Sequence, residues 1–283
     1  DPYKVANLLD LYMVRDYLAA YFEQTGDIDL ARTNPDIVPF WAEGTPYSQG
    51  AMVKHGNPLK TYYALQEVST GINIENTDYW KELWETDKGW LPIGRESLPS
   101  DPDLNNRFTG NYNGNGKLIK GLYINRPDEA NVGLFGCIGR GTQEKLTVIR
   151  NVGLVDGAQA ISVSGARGTG SLVGRVRGDT FTLIEGCYVS SSLEGPGVSG
   201  ASATGGLVGA NNSYRETQGG EDNPIISKSY ASINVTARAT GTGSDRTQKV
   251  GGLVGCNQKG TSIDSYSRSK VSIPSSGEFE RVG

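Results

Sequence analysis

The stretch "GGLVG" at residues 205–209 recurs letter for letter at 251–255, and near-copies stand upstream as "VGLFG" (132–136) and "GSLVG" (170–174). Two large apolar residues hemmed by glycine make a costly motif to repeat, because glycine loses more conformational freedom on folding than any other residue. The final glycines of the four copies, Gly136, Gly174, Gly209 and Gly255, stand 38, 35 and 46 residues apart. Periods of that size mark solenoids, propellers or arrays.

A second beat follows each of the last three anchors: "IEGCYVSSSL" (184–193), "ISKSYASINV" (226–235) and "SIDSYSRSKV" (262–271). In each, a tyrosine precedes an aliphatic by five residues, giving the pairs Tyr188/Leu193, Tyr230/Val235 and Tyr266/Val271. The first repeat carries a looser version, "IRNVGLV" (149–155), and polar inserts such as "NNSYRETQGGEDNP" (211–224) read as loops. Each repeat thus reads as two or three short strands. One such coil cannot bury its own apolar face, but stacked coils build a continuous core. The glycines then allow tight corners and close backbone approach, while Leu and Val or Phe fill the interior. A propeller is the rival, but it needs four strands per repeat. The expectation is an all-β protein, a parallel and right-handed β-solenoid with coils about 4.8 Å apart. The stretch "FTGNYNGNGKLIKGLYINRP" (108–127) fits as an earlier coil, with Asn-Gly pairs at 113–114 and 115–116 supplying left-handed turns. The closing "FERVG" looks like the opening of another anchor, so the natural chain is expected to continue.

These pieces together, "FTGNYNGNGKLIKGLYI", "VGLFG", "IRNVGL", "GGLVG" and "GCY", resemble the GLUG-motif repeat proteins of bacterial cell surfaces. The segments "LDLYMVRDYLAAYFEQTGDIDL" (9–30) and "GWLPIG" (89–94) resemble the leader of that family. The resemblance implies an extracellular or cell-surface, often adhesin-like protein. In some large surface proteases of the family the repeats stand beside catalytic domains. Read from the residues alone, Leu8, Leu11, Tyr12, Arg15, Leu18 and Phe22 approximate a helical stripe. Residues 7–19 are therefore expected to form a cap helix over the open first coil, leading into a strand at 20–30.

The leader is interrupted between Ala31 and Lys88. Three of the four tryptophans lie there (Trp41, Trp80, Trp84), with a cluster of tyrosines. Through Trp41, Tyr47, Gly50, Val53, Tyr62, Ala64, Trp80 and Leu83, the segment resembles small chitin-binding-type carbohydrate-binding modules, with Ala51 in place of their usual acidic residue. Residues 1–39 and 85–283 are accordingly expected to form the capped solenoid, and 40–84 a small β-rich insert. Aromatic rings suit the C–H faces of sugars, and the candidate ligand-binding rings are Tyr47, Tyr62, Tyr63, Tyr79 and Trp80, with Trp41 assigned to the core. In so small a unit the same aromatics also serve as packing.

Composition narrows the alternatives. With 27 basic and 31 acidic residues and a net charge of −4, nothing favours nucleic acid. No apolar run reaches membrane-spanning length, and the opening "DPYKVANLL" has neither part of a signal peptide, as expected of a mature or excised fragment. Cys137, Cys187 and Cys256 are too scattered for a disulfide framework and read as small core residues. The lone histidine, His55, sits in a turn-like "KHGNP" without a nucleophile beside it, and with three unclustered cysteines it gives no zinc set. No cofactor or metal is expected. "GARGTGSLVG" (165–174) lacks the ending of a phosphate loop. Asp27 and Asp29 read as turn or cap residues, and "DPDLNN" (101–106) lacks the twelfth-position Glu of a calcium loop, which is Tyr112. Four functions stay open: a noncatalytic adhesin-like protein binding a glycan or host-surface partner, a polysaccharide-degrading β-helix, a phage tail component, and a structural spacer.

Overall fold

In the computed structural model, Phe135, Val173, Val208 and Val254 are hydrogen-bonded partners on successive parallel strands. The glycines that follow them therefore stand in one column, and the four anchors occupy the same corner of four stacked coils. The structure describes residues 1–95, 106–139, 145–177, 181–212, 223–238, 248–258, 260–273 and 279–282. The calcium-like residues 101–105 and most of the loop at 211–224 lie outside them.

The protein is a parallel β-solenoid. One complete coil runs through Thr147–Arg150, Gly153–Val155, Ser162–Ser164, Arg167–Thr169 and Val173–Arg177. Five strands per coil replace the expected two or three. Three of the five are only three residues long, too short to stand out by alternation in the sequence. Each pairs with its equivalent one coil away, so five parallel sheets run along the axis. Parallel pairing between repeats excludes a propeller, whose repeats are separate antiparallel blades.

Interior columns form the core. Tyr112, Ile149, Ile184 and Ile226 stack in one, Ile119, Leu154, Val189 and Ala231 in a second, and Ile124, Val163, Val198 and Val235 in a third, all at most 1% exposed. The third column corrects one pairing. Val235 lies on Val198, and Leu193 is 46% exposed in a surface turn. The turn between Ser190 and Gly197 is longer than the one between Ser232 and Val235 in the next coil, so counting five from Tyr188 stops short of Val198, which holds the column position.

"GGLVG" is explained by two contacts. The chain bends between the strand Ser202–Gly205 and the strand Val208–Asn212, so the consecutive residues Leu207 and Val208 both point inward and are fully buried. At the bend, backbone meets backbone. A Cβ on Gly209 would lie 2.4 Å from the Thr169 nitrogen and 2.5 Å from the Gly174 oxygen. No larger residue fits.

The Asn-Gly pairs divide their work. Asn115 and Gly116 adopt left-handed φ of 53° and 70°, whereas Gly114 is needed for a close approach to the Asn151 carbonyl, 2.3 Å from its would-be Cβ. The same corner of later coils is held by Asn151, Gly186, Lys228 and Asp264, all left-handed.

At the N-terminal end the helix is shorter than 7–19. Asn7 caps an α-helix at Leu8–Met13, and a 3₁₀ turn Val14–Asp16 follows. The expected strand is two strands, Tyr21–Gln24 and Ile28–Asp29, and an additional one, Tyr3–Val5, pairs outside the first. Residues 20–33 and 89–94 together complete one coil: Thr33 hydrogen-bonds Tyr123, the Trp90 amide reaches the Tyr123 carbonyl, and Ile93 bridges Phe135. Between Thr33 and Gly89 the chain leaves the coil to form a three-stranded antiparallel sheet of Met52–His55, Lys60–Ala64 and Trp80–Glu85.

Gly209→Ala is expected to cost about 2–3 kcal/mol by overpacking backbone against backbone. Gly44→Ala, with open space and only a positive φ of 78° to strain it, is expected to cost about 1 kcal/mol. Urea unfolding of both variants checks the difference.

Candidate ligand-binding surface

The insert's sheet has two apolar faces with different partners. One face is turned to the solenoid: Met52, Leu83 and Trp84 belong to the main core, with Tyr63 packed against it. Trp84 lies 5.8 Å from Tyr12 of the cap helix and 5.7 Å from Trp90 of the coil, and the Tyr12 hydroxyl donates to the Leu83 carbonyl at 2.7 Å. Arg15 joins this cluster as a stacked cation, its guanidinium 3.8 Å from the Tyr12 ring centroid. Burial lowers its pKa to about 10. The insert and the helix together close the first coil.

The other face has its own small core of Val53, Ala64, Val68, Ile74 and Trp80, with Trp41, Tyr47, Tyr62 and Tyr79 packed on it. The five candidate rings therefore do not form one platform. Trp80 is 2% exposed, sits in this core, and is no sugar contact in this conformation. A unit this small spends its largest ring on burial first. Tyr63 faces the solenoid, opposite the others. Tyr47, Tyr62 and Tyr79 are half-buried. Tyr47 is fixed by the Ala42 amide, which donates to its hydroxyl at 2.7 Å, and by an edge contact with Trp80 at 5.3 Å. Partial burial, then the Glu82 charge, raises the Tyr62 phenol above its ordinary value.

Trp41 and His55 also move from their expected places. Trp41 is half-buried at the surface, not in the core, and His55 ends a strand with its ring edge-on to Trp41 at 5.2 Å. Beside them the structure brings out residues that sequence reasoning passed over. Phe40 is 67% exposed, with the Lys54 ammonium 4.6 Å from its centroid. Ile37, Val38, Pro39, Tyr47 and Met52 line an apolar cavity of about 300 Å³ with Arg32 at its wall. The neighbouring letters "FW" were the available signal, but exposure is a property of the folded insert.

A second concavity of about 540 Å³ holds Asp27, Asp29, Lys120 and Asp156. Its carboxylates are used by the fold. Asp27 pairs with Lys120 at 2.8 Å and accepts from the Leu118 amide; Asp29 accepts from the Ala31 amide. Asp156 accepts from the amides of Ile161, Ser192 and Leu193 and from the Ser191 hydroxyl, at 2.7–3.1 Å. Partial burial alone would raise its pKa, but these donors outweigh it and hold the carboxyl below its usual range. Turn and cap roles fit both Asp27 and Asp29.

All three cysteines are free thiols. Burial pushes Cys137 up to about 11 and Cys187 up to about 12, which leaves both as unreactive core groups.

No family model matches the chain. Over 89 residues, 31% of the chain, it is 38% identical to a "Putative Gly-rich membrane protein" of Evansella cellulosilytica, covering 9% of that protein. Over 67 residues, 24% of the chain, it is 48% identical to Halomucin of Haloquadratum walsbyi, covering 1% of it. The chain thus spans less than a tenth of either relative's length. Among solved structures, a "putative immunoglobulin A1 protease" from Bacteroides ovatus superposes with a TM-score of 0.50 at 17% identity, over 100% of this chain and 70% of that one. That likeness concerns the fold.

Trp84→Ala should lower stability by about 3–5 kcal/mol, and Phe40→Ala by no more than about 1 kcal/mol, as read by thermal unfolding. Because the folded-state pKa of Asp156 is depressed, its stabilisation is complete above the unfolded value near 3.9 and fades as pH falls through the folded one. The stability gap between wild type and Asp156→Asn should accordingly be present at pH 7 and shrink below about pH 4.

Proposed function

We propose that this chain is a noncatalytic, extracellular, adhesin-like module of bacterial origin, a solenoid displayed at the cell surface whose capping insert contacts glycan. The observation that carries this reading is the apolar cavity walled by Ile37–Pro39 and Tyr47 with exposed Phe40 and half-buried Trp41 nearby. Apolar walls and ring faces match the C–H faces of a pyranose, and Arg32 brings donors for its hydroxyls. The surface location draws support from the GLUG-like repeats and from relatives named as a Gly-rich membrane protein and a halomucin.

A second reading is favoured by the Tyr12–Trp84–Trp90 cluster: the insert serves only to close the solenoid end. A glycan array probed with the full 283-residue chain separates the two. Glycan contact predicts binding to a defined subset, weakened about tenfold in the Phe40→Ala/Trp41→Ala double variant, since each aromatic contact is worth about 0.5–1.5 kcal/mol. A blank array, or binding indifferent to the double variant, sinks the glycan reading and leaves the cap. Sugar release from the same panel would favour the polysaccharide-degrading alternative.

A further inference from the structure

Tyr188, Tyr230 and Tyr266 occupy one position of three successive coils and pair in register. Their rings form a ladder, with centroids 5.0 and 5.2 Å apart and planes within 6° of parallel. The ladder starts over a glycine. A Cβ on Gly153 would lie 2.6 Å from the Tyr188 ring, so the coil below leaves room for that ring to lie flat. Tyr188 and Tyr230 are half-buried and Tyr266 is 50% exposed, so all three edges reach solvent. At the other end Arg268 sits 5.6 Å from the Tyr266 centroid.

Stacking of this kind stabilises the coils without any chemistry. The register does more. Near-parallel rings held in register present each ring's ortho carbons to the same carbons of its neighbour, and with centroids 5.0 and 5.2 Å apart the two side chains must swing toward each other to join. We propose that the ladder is a site of oxidative tyrosine coupling, in which Tyr230 joins Tyr188 or Tyr266 through a dityrosine bond that staples adjacent coils.

The oxidant is hydrogen peroxide acting through a haem peroxidase. Each of two phenols gives up one electron and its hydroxyl proton, and the peroxide that accepts both pairs leaves as two waters. The tyrosyl radicals join by a carbon–carbon bond ortho to the hydroxyls. The hydrogens on the joined carbons then move to the oxygens and restore both phenols, so the product is two hydrogens lighter than the separate side chains. A bond made this way ties residues far apart in sequence and restricts the unfolded chain as a disulfide does.

The test is to treat the full chain with a haem peroxidase and hydrogen peroxide, isolate the monomer, and map joined peptides by mass spectrometry. Tyr230–Tyr188 or Tyr230–Tyr266 peptides are expected, with dityrosine fluorescence that Tyr230→Phe removes from the monomer's ladder peptides while keeping the stacked ring. The Tyr188→Phe and Tyr266→Phe variants should each remove one of the two products, which keeps the test decisive should Tyr230→Phe fail to fold. Joined peptides that all lack Tyr230 overturn the proposal, including those of the exposed Tyr3–Tyr17 pair, stacked at 5.4 Å. Coupling confined to intermolecular dimers also overturns it.

Discussion

Backbone-to-backbone contact between coils at the anchor corner is the constraint on which the rest of the solenoid depends. There the Leu172 amide donates to the Leu207 carbonyl and the Leu207 amide to the Leu253 carbonyl, each at 3.0 Å. Those bonds form only if nothing projects between the coils, and three glycines of "GGLVG" satisfy that condition against different backbone atoms. Once the corner closes, the two residues after the bend both turn inward, and every other strand position inherits its register. Core columns and the tyrosine ladder are consequences of that one alignment.

A solenoid solves burial along its length and leaves it unsolved at its ends. Here the first coil is closed by a short helix and by a sheet that leaves the coil at Thr33 and returns at Gly89. Trp84 and Trp90, far apart in function on a first reading, meet with Tyr12 in one aromatic cluster. The insert is thus two-sided: one face packs on the solenoid, and the rim of the other carries exposed Phe40 beside half-buried Trp41 and Tyr47. The interior also tolerates polarity where coils supply partners. Ser229 stands where Cys187 does one coil earlier, accepting from the Cys187 amide and donating to the Ser227 carbonyl.

How much of this could be read from the letters differs by level. The glycine-flanked pair and its period sufficed for parallel coils, because a motif that only close backbone approach can justify, repeated at solenoid spacing, has few other physical solutions. The tyrosine beat placed Tyr188, Tyr230 and Tyr266 in one column for the same reason. Strand number was not legible: three-residue strands between corners carry too few alternations to be counted. Leu193 was mispaired with Val235 because a repeat fixes positions in space, while a turn absorbs extra residues without trace in the pattern.

The aromatic richness of the insert was legible in the letters, and the placement of its rings was not. Sequence alone determined that residues 40–84 differ from the repeats in composition, with three tryptophans in a short stretch that must be buried or displayed. Which ring does which was decided only by the tertiary structure. Trp80 and Trp41 exchange their expected places, Tyr63 turns to the solenoid, and Phe40 is left outside, because sheet faces are assigned by what packs against them. A ring's identity sets how much apolar surface it carries; only the neighbours supplied by the rest of the fold decide whether that surface meets protein or water.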